Sequence, residues 1–198
     1  MQRQTIPSEE IETAITTTET TRVSLWRARA IACLRIAFGL IWAIDAWFKW
    51  QPGFVSSFTD QVASAKQGQP QGVQSWLSFW VHIVGTNPHF FAYLTAAVET
   101  ALAVFLILGL LTQVTCVVGF VWSLAIWAIP EGFGGPYKPG DSTDVGTALL
   151  YALMFAVLFA IAAGRYYSVD RWLTRRLGRF GFLAAGVPRH RHQQSMLK

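Results

Sequence analysis

Four stretches of this chain are too uniformly apolar to face water: Ile31–Trp50, Phe90–Leu111, Val114–Pro130 and Val145–Gly164. A helix needs about 20 such residues to cross a hydrocarbon core, and the third stretch is at the short end. Lipid offers the backbone no hydrogen bonds, so each stretch must satisfy its own peptide groups as a helix. The expected fold is therefore all-α, an integral membrane four-helix bundle within residues 28–165. A polar tail (1–27) precedes it and a basic tail (166–198) follows. Composition agrees: 53% of the residues are hydrophobic and only 14% charged, against about 25% charged in an ordinary soluble domain. This excludes disorder, collagen-like repeats and a soluble basic nucleic-acid binder. The first partner implied is the lipid bilayer, and no nucleic acid is expected.

Lysine and arginine set the expected orientation. Five (Arg3, Arg22, Arg27, Arg29, Arg35) lie before or at the start of the first stretch, and eight follow the fourth. Only Lys49, Lys66 and Lys138 lie between. Both termini are thus expected in the cytoplasm, with four crossings of the cell membrane. Gly109–Gln113 then forms a tight inner hairpin, and the other two loops face outward. In the first outer loop, Val73, Leu77, Trp80, Val81 and Val84 recur at helical spacing, as in an interfacial helix. The second, EGFGGPYKPGDSTD, is too rich in Gly and Pro for a regular helix. Ser142, Thr143 and Asp144 there offer N-caps to the fourth stretch. In the basic tail, Arg171, Arg175, Arg176 and Arg179 lie mostly opposite Trp172, Leu173, Leu177 and Phe180. That is an amphipathic helix suited to anionic lipid, or simply a topology signal. Residues 1–25 show no apolar period and read as a mobile tail.

The candidate chemistry lies in the charges within the apolar stretches. Arg35, Phe38, Trp42, Asp45 and Lys49 repeat at 3,4 spacing, which is one helix face. Glu99 lies in the second stretch. An ion at the bilayer centre costs about 2.5–3.5 kcal/mol on insertion scales, so these side chains should face the bundle interior and find partners. At 1.5 Å per residue from the outer ends, Asp45 lies about 8 Å deep, Glu99 about 14 Å and Arg35 about 22 Å. On that count Arg35 reaches toward Glu99, and Asp45 pairs with Lys49 one turn away. Two readings follow: an ion pair that fixes helix register, or a polar pocket in the outer half walled by Phe38 and Trp42, with Trp122 and Tyr151 as further candidates. Such a pocket suits a quinone head group or proton transfer, with Glu99, Arg35 and Asp45 as the catalytic candidates.

Other signals are weaker. Gly134, Gly135, Tyr137 and Lys138 admit either an anion-binding nest of backbone amides or a loop that only turns. Cys33 and Cys116 read as small buried residues. His82 and His89 read as solvated loop residues. No metal site, dinucleotide fingerprint, P-loop or haem motif occurs, and no covalent cofactor is expected.

The first stretch, RIAFGLIWAIDAWFKWQPGF, resembles the opening helix of the DoxX-like family. EGFGGPYKPGDSTDVGT is similar to the outer loop of its DoxD branch, the small membrane subunit of thiosulfate:quinone oxidoreductase. AGRYYSVDRWL is similar to that family's C-terminal pattern, and the likeness covers roughly residues 30–175. The resemblance implies a four-helix bundle within an oxidoreductase complex that takes electrons from thiosulfate, or a similar small sulfur anion, to the quinone pool. It marks Arg35, Asp45, Glu99, Gly132–Tyr137 and Asp144 as pattern positions. It equally admits a non-catalytic scaffold or accessory subunit of a larger membrane complex. Either way, other protein subunits are expected partners.

Overall fold

The computed structural model describes residues 8–137, 145–170, 172–173 and 182–185. The described residues form helices and turns, with no strand among them. The helices are α1 (Ser8–Lys49), α2 (Pro52–Ser64), α3 (Gln71–Thr86), α4 (Pro88–Leu108), α5 (Thr112–Ala128), α6 (Thr147–Ala160) and a short α7 (Phe182–Ala185). Two tight 3-10 turns, Gly132–Gly134 and Ala163–Arg165, follow α5 and α6.

Helix α1 begins at Ser8, well before the first apolar stretch, so much of the expected tail continues the helix. The sequence explains this: no Gly or Pro occurs between Ser8 and Phe38 to break the helix. The Gln51–His89 loop also holds more structure than expected. Helix α3 was legible from its spacing. Helix α2 was not, although Pro52 at its first turn and the run Phe54, Val55, Phe58, Val62 mark it.

Asn87 caps α4 by accepting the Phe90 amide (3.2 Å), and Gly109 closes it in a left-handed conformation (φ 65°). Leu25–Lys49 of α1 and Pro88–Leu108 of α4 are long and apolar enough to cross a membrane. Helices α5 (17 residues) and α6 (14 residues) are apolar but shorter. Helix α6 is also shorter than the 145–164 expected, because the chain turns at Ile161 and Ala162.

Helix α1 packs chiefly on α4, and α5 on α6. Small residues allow both approaches. A Cβ on Gly39 would stand 2.8 Å from the Ile107 side chain, and one on Gly119 would enter the Phe155 ring. Between the pairs lies an aromatic plug of Phe38, Trp42 and Phe155, with Phe38 and Phe155 edge to face at 4.9 Å between centroids. The outward faces are also apolar, with Leu40, Ile41, Ile44, Trp47 and Phe48 on α1 and Leu150, Leu153 and Val157 on α6 exposed. Apolar surface of that extent is costly in water and suits lipid.

Candidate functional site

The bundle holds polar groups at two levels, above and below the aromatic plug. The upper level is a cavity of about 510 Å³ lined by all six of the longer helices. Helix α1 supplies Trp42, Asp45 and Lys49; α4 supplies Thr95 and Glu99; α5 supplies Trp122; α6 supplies Tyr151. Helices α2 and α3 close it with Phe54, Phe58, Gln61 and Trp80, and Glu131 lines it just beyond α5. The α2–α3 unit is held on by the Trp76 indole, which donates to the Ala128 carbonyl (3.0 Å), and by Gln69, which donates to the Gly132 carbonyl (2.9 Å). The indole nitrogens of Trp42, Trp80 and Trp122 have no hydrogen-bond partner among the described residues. Leaving a buried donor unmet costs about 1–3 kcal/mol, so these groups favour a ligand that carries acceptor atoms.

The ion pairing differs from the sequence expectation. Lys49 Nζ lies 3.8 Å from Glu99 Oε2, and its charge also sits 5.1 Å from the centre of the Phe54 ring. Lys49 therefore belongs to Glu99 and not to Asp45. Asp45 lies instead beside the Tyr151 hydroxyl. Arg35 does not approach Glu99. The cause is helix register. Gly39 packs on Leu106 and Ile107, and Trp50 donates to Thr100 (3.0 Å), so α4 begins about 10 Å beyond Trp50. The depth count assumed that both helices start level. The true offset lifts Glu99 to the height of Lys49 and leaves Arg35 opposite Gly109.

The lower level is built around Arg35, which is fully buried. Its guanidinium donates to the carbonyls of Ala163 (3.2 Å), Tyr166 (3.3 Å) and Tyr167 (3.0 Å). Gly109 makes room for it, since a Cβ there would stand 2.7 Å from Arg35 Cζ. Asp170 completes the knot by accepting the amides of Leu111 (2.6 Å) and Thr112 (2.8 Å), the first turn of α5. Burial pushes the Asp170 carboxyl above its usual range, while the Thr112 and Leu111 bonds and the nearby Arg35 charge pull it back. The backbone joins in, with Val169 and Asp170 donating to the Leu108 and Gly109 carbonyls. Arg35 thus fastens the segment after α6 to the α4–α5 turn, and it does not line the cavity.

Of the other sequence candidates, Trp42 lines the cavity, whereas Phe38 lies in the plug beneath it. Gly134, Gly135 and Tyr137 do not line it. The Gly134 and Gly135 amides donate within the loop, to the Glu131 and Gly132 carbonyls, so they do not form the anion nest. The Tyr137 hydroxyl donates to the Phe133 carbonyl. Lys138, the caps Ser142–Asp144 and the arginines Arg171, Arg175, Arg176 and Arg179 lie outside the described residues. The α6 amide at Ala148 is met by Glu131 instead, with both carboxylate oxygens at 3.1 Å. Sequence reading missed Glu131, Lys49 as the partner of Glu99, and Asp170. Only Lys49, four residues from Asp45 on the same helix face, carried a signal. Cys116 is buried but Cys33 is exposed, and no cluster of metal-ligating side chains occurs among the described residues.

A mostly apolar, aromatic-walled cavity that holds four charged side chains, within helices whose outward faces are apolar, is the arrangement of a membrane-type helical protein. The sequence model of the DoxX family matches residues 30–131, from the first turns of the apolar part of α1 to the end of α5, and the chain belongs to the DoxX family. Comparison with curated proteins and with solved structures gives no match.

Proposed function

We propose that this protein is the membrane subunit of a quinone-linked oxidoreductase complex and that the upper cavity receives the quinone head group. The observation that carries this reading is the cavity itself: aromatic walls, three buried indole donors without partners among the described residues, and an ion pair at its edge. A quinone ring is flat and apolar with two carbonyl acceptors, which suits stacking on the aromatic wall and hydrogen bonding to the indoles. Trp42 and Trp122 would bind the head group, and Asp45, Glu99 and Lys49 would set the charge around it. The electron donor is a small sulfur anion of the thiosulfate class, as the likeness to the DoxD branch suggests, with other subunits completing the complex.

The same reading places α1, α4, α5 and α6 across the cell membrane with both termini in the cytoplasm. The cavity then lies in the outer half, and the Arg35 knot at the inner surface among the cationic flanks. Reporter fusions at either terminus and at Gln67 test the orientation: both ends should report inside and Gln67 outside.

The functional test has two parts. Purified protein should bind decylubiquinone saturably, read by quenching of tryptophan fluorescence. Membranes carrying the protein should reduce decylubiquinone with thiosulfate, more slowly in Glu99→Gln. Absence of saturable binding ends the quinone reading. Binding without turnover, together with stoichiometric co-purification of other proteins, favours the scaffold role.

A further inference from the structure

The three carboxylates of the cavity are not equivalent. Glu131 is committed to the first turn of α6, and Glu99 faces Lys49. Asp45 has the Tyr151 hydroxyl beside it and no ion pair among the described residues. Glu99 is itself only 2% exposed, yet its Oε2 accepts no hydrogen bond. Lys49 stands 3.8 Å away, beyond the 2.7–2.9 Å typical of a charge-assisted bond. One carboxylate without a cation and one buried oxygen without a donor therefore share an aromatic-walled space. Carboxylates in such surroundings favour a cation, and Trp42, Trp122 and Tyr151 line the same space with aromatic surface on which the apolar body of such a ligand can pack. Among the described lining residues Lys49 is the one cation against three carboxylates, so an anion is repelled in a low-dielectric space.

We infer that the cavity is a cation-selective site: it takes a lipophilic ammonium or phosphonium, with the charge between Asp45 and Glu99 and the apolar body on the aromatic wall. This goes beyond the quinone reading and does not depend on it. A carbonyl ligand uses the indole donors, a cation uses the carboxylates, and the two compete for one volume. A small sulfur anion is excluded from that volume, so an anionic electron donor must be oxidised on another surface or subunit.

Tetraphenylphosphonium and tetraphenylborate share a shape and differ in the sign of their charge. Saturable binding of each to the full-length protein in neutral detergent, measured above empty micelles, tests the inference. The phosphonium should bind saturably and the borate should not. Asp45→Asn should weaken phosphonium binding by about tenfold or more, and Asp45→Glu should restore most of it. The phosphonium should also displace decylubiquinone. Equal binding of the two ions, no saturable phosphonium binding, or an unchanged Asp45→Asn variant would overturn the inference. Should Asp45→Asn not fold, the contrast between the two ions on the unaltered protein decides alone. Decylubiquinone binding without phosphonium binding removes this inference and leaves the quinone reading standing; the reverse pattern removes the quinone reading.

Discussion

The two polar levels of the bundle solve the same problem in opposite ways. Below the plug, Arg35 is buried and held by three carbonyls, with Asp170 close enough to act on its charge, although Arg35 Nε and the Thr112 hydroxyl have no hydrogen-bond partner among the described residues. Above it, Glu99 is as deeply buried but meets its cation at 3.8 Å, and among the described residues its Oε2 accepts no hydrogen bond, Asp45 has no ion pair and three indole donors are unmet. A cluster whose charged groups are held by several hydrogen bonds stabilises and rigidifies, whereas one whose carboxylate and indole groups are mostly unmet costs free energy that a ligand can recover. The contrast separates a structural fastening from the proposed binding site.

The sharpest way to break this contrast is Arg35→Leu. It leaves the buried and part-buried carbonyls of Ala163, Tyr166 and Tyr167 without their donor, and at about 1–3 kcal/mol for each unmet buried group this should be the largest loss of the series. A large fall in the apparent midpoint of thermal unfolding in detergent would register it. A loss no larger than that of Glu99→Gln would erase the distinction between the levels.

Next comes Gly109→Ala, which places a Cβ against Arg35 at a φ of 65°. The left-handed backbone alone costs about 1–2 kcal/mol for a side-chain-bearing residue, and the crowding of Arg35 adds to it. The same thermal measurement reads the loss, and quinone affinity should change little.

Asp170→Asn keeps the shape of the N-terminal contact with α5 but removes its charge. Asn has one acceptor oxygen where Asp170 uses two, so either the Leu111 or the Thr112 amide is left facing an NH2 donor, and about 1–2 kcal/mol should be lost with the charge at the start of α5. The loss should show as faster amide exchange at Leu111 and Thr112, with the remainder of α5 unchanged.

Glu99→Gln should have the smallest effect on stability, about 1 kcal/mol or less, because Lys49 is part-exposed and can turn outward. Its effect should appear in ligand affinity and turnover instead. A thermal loss equal to that of Arg35→Leu would make the upper level structural too.

Much of this was legible in the sequence, and the limits have identifiable causes. The stripe Arg35–Phe38–Trp42–Asp45–Lys49 follows from the 3.6-residue period of one helix, and it placed Trp42 and Asp45 at one pocket. Which charge meets which depends on the offset between two helices, and the close contact of Gly39 with Ile107 fixes that. Asp170 and Glu131 gave no local sign, because each caps a helix that begins elsewhere in the chain, at Thr112 and Thr147. Helix α2 went unread in the sequence although Pro52 and the spaced aromatics mark its start and its face, and its place over the cavity had no local sign at all.

The sequence alone determined the solvent. Long apolar stretches leave the backbone no choice but helices, and the few charges among them have to turn inward. Tertiary structure decided the partners: antiparallel register lifted Glu99 to Lys49, left Asp45 without an ion pair among the described residues and set Arg35 against the turn that follows α6. The physical reason is that a helix fixes spacing within itself, whereas its height against a neighbour is set by where small residues let the two backbones meet.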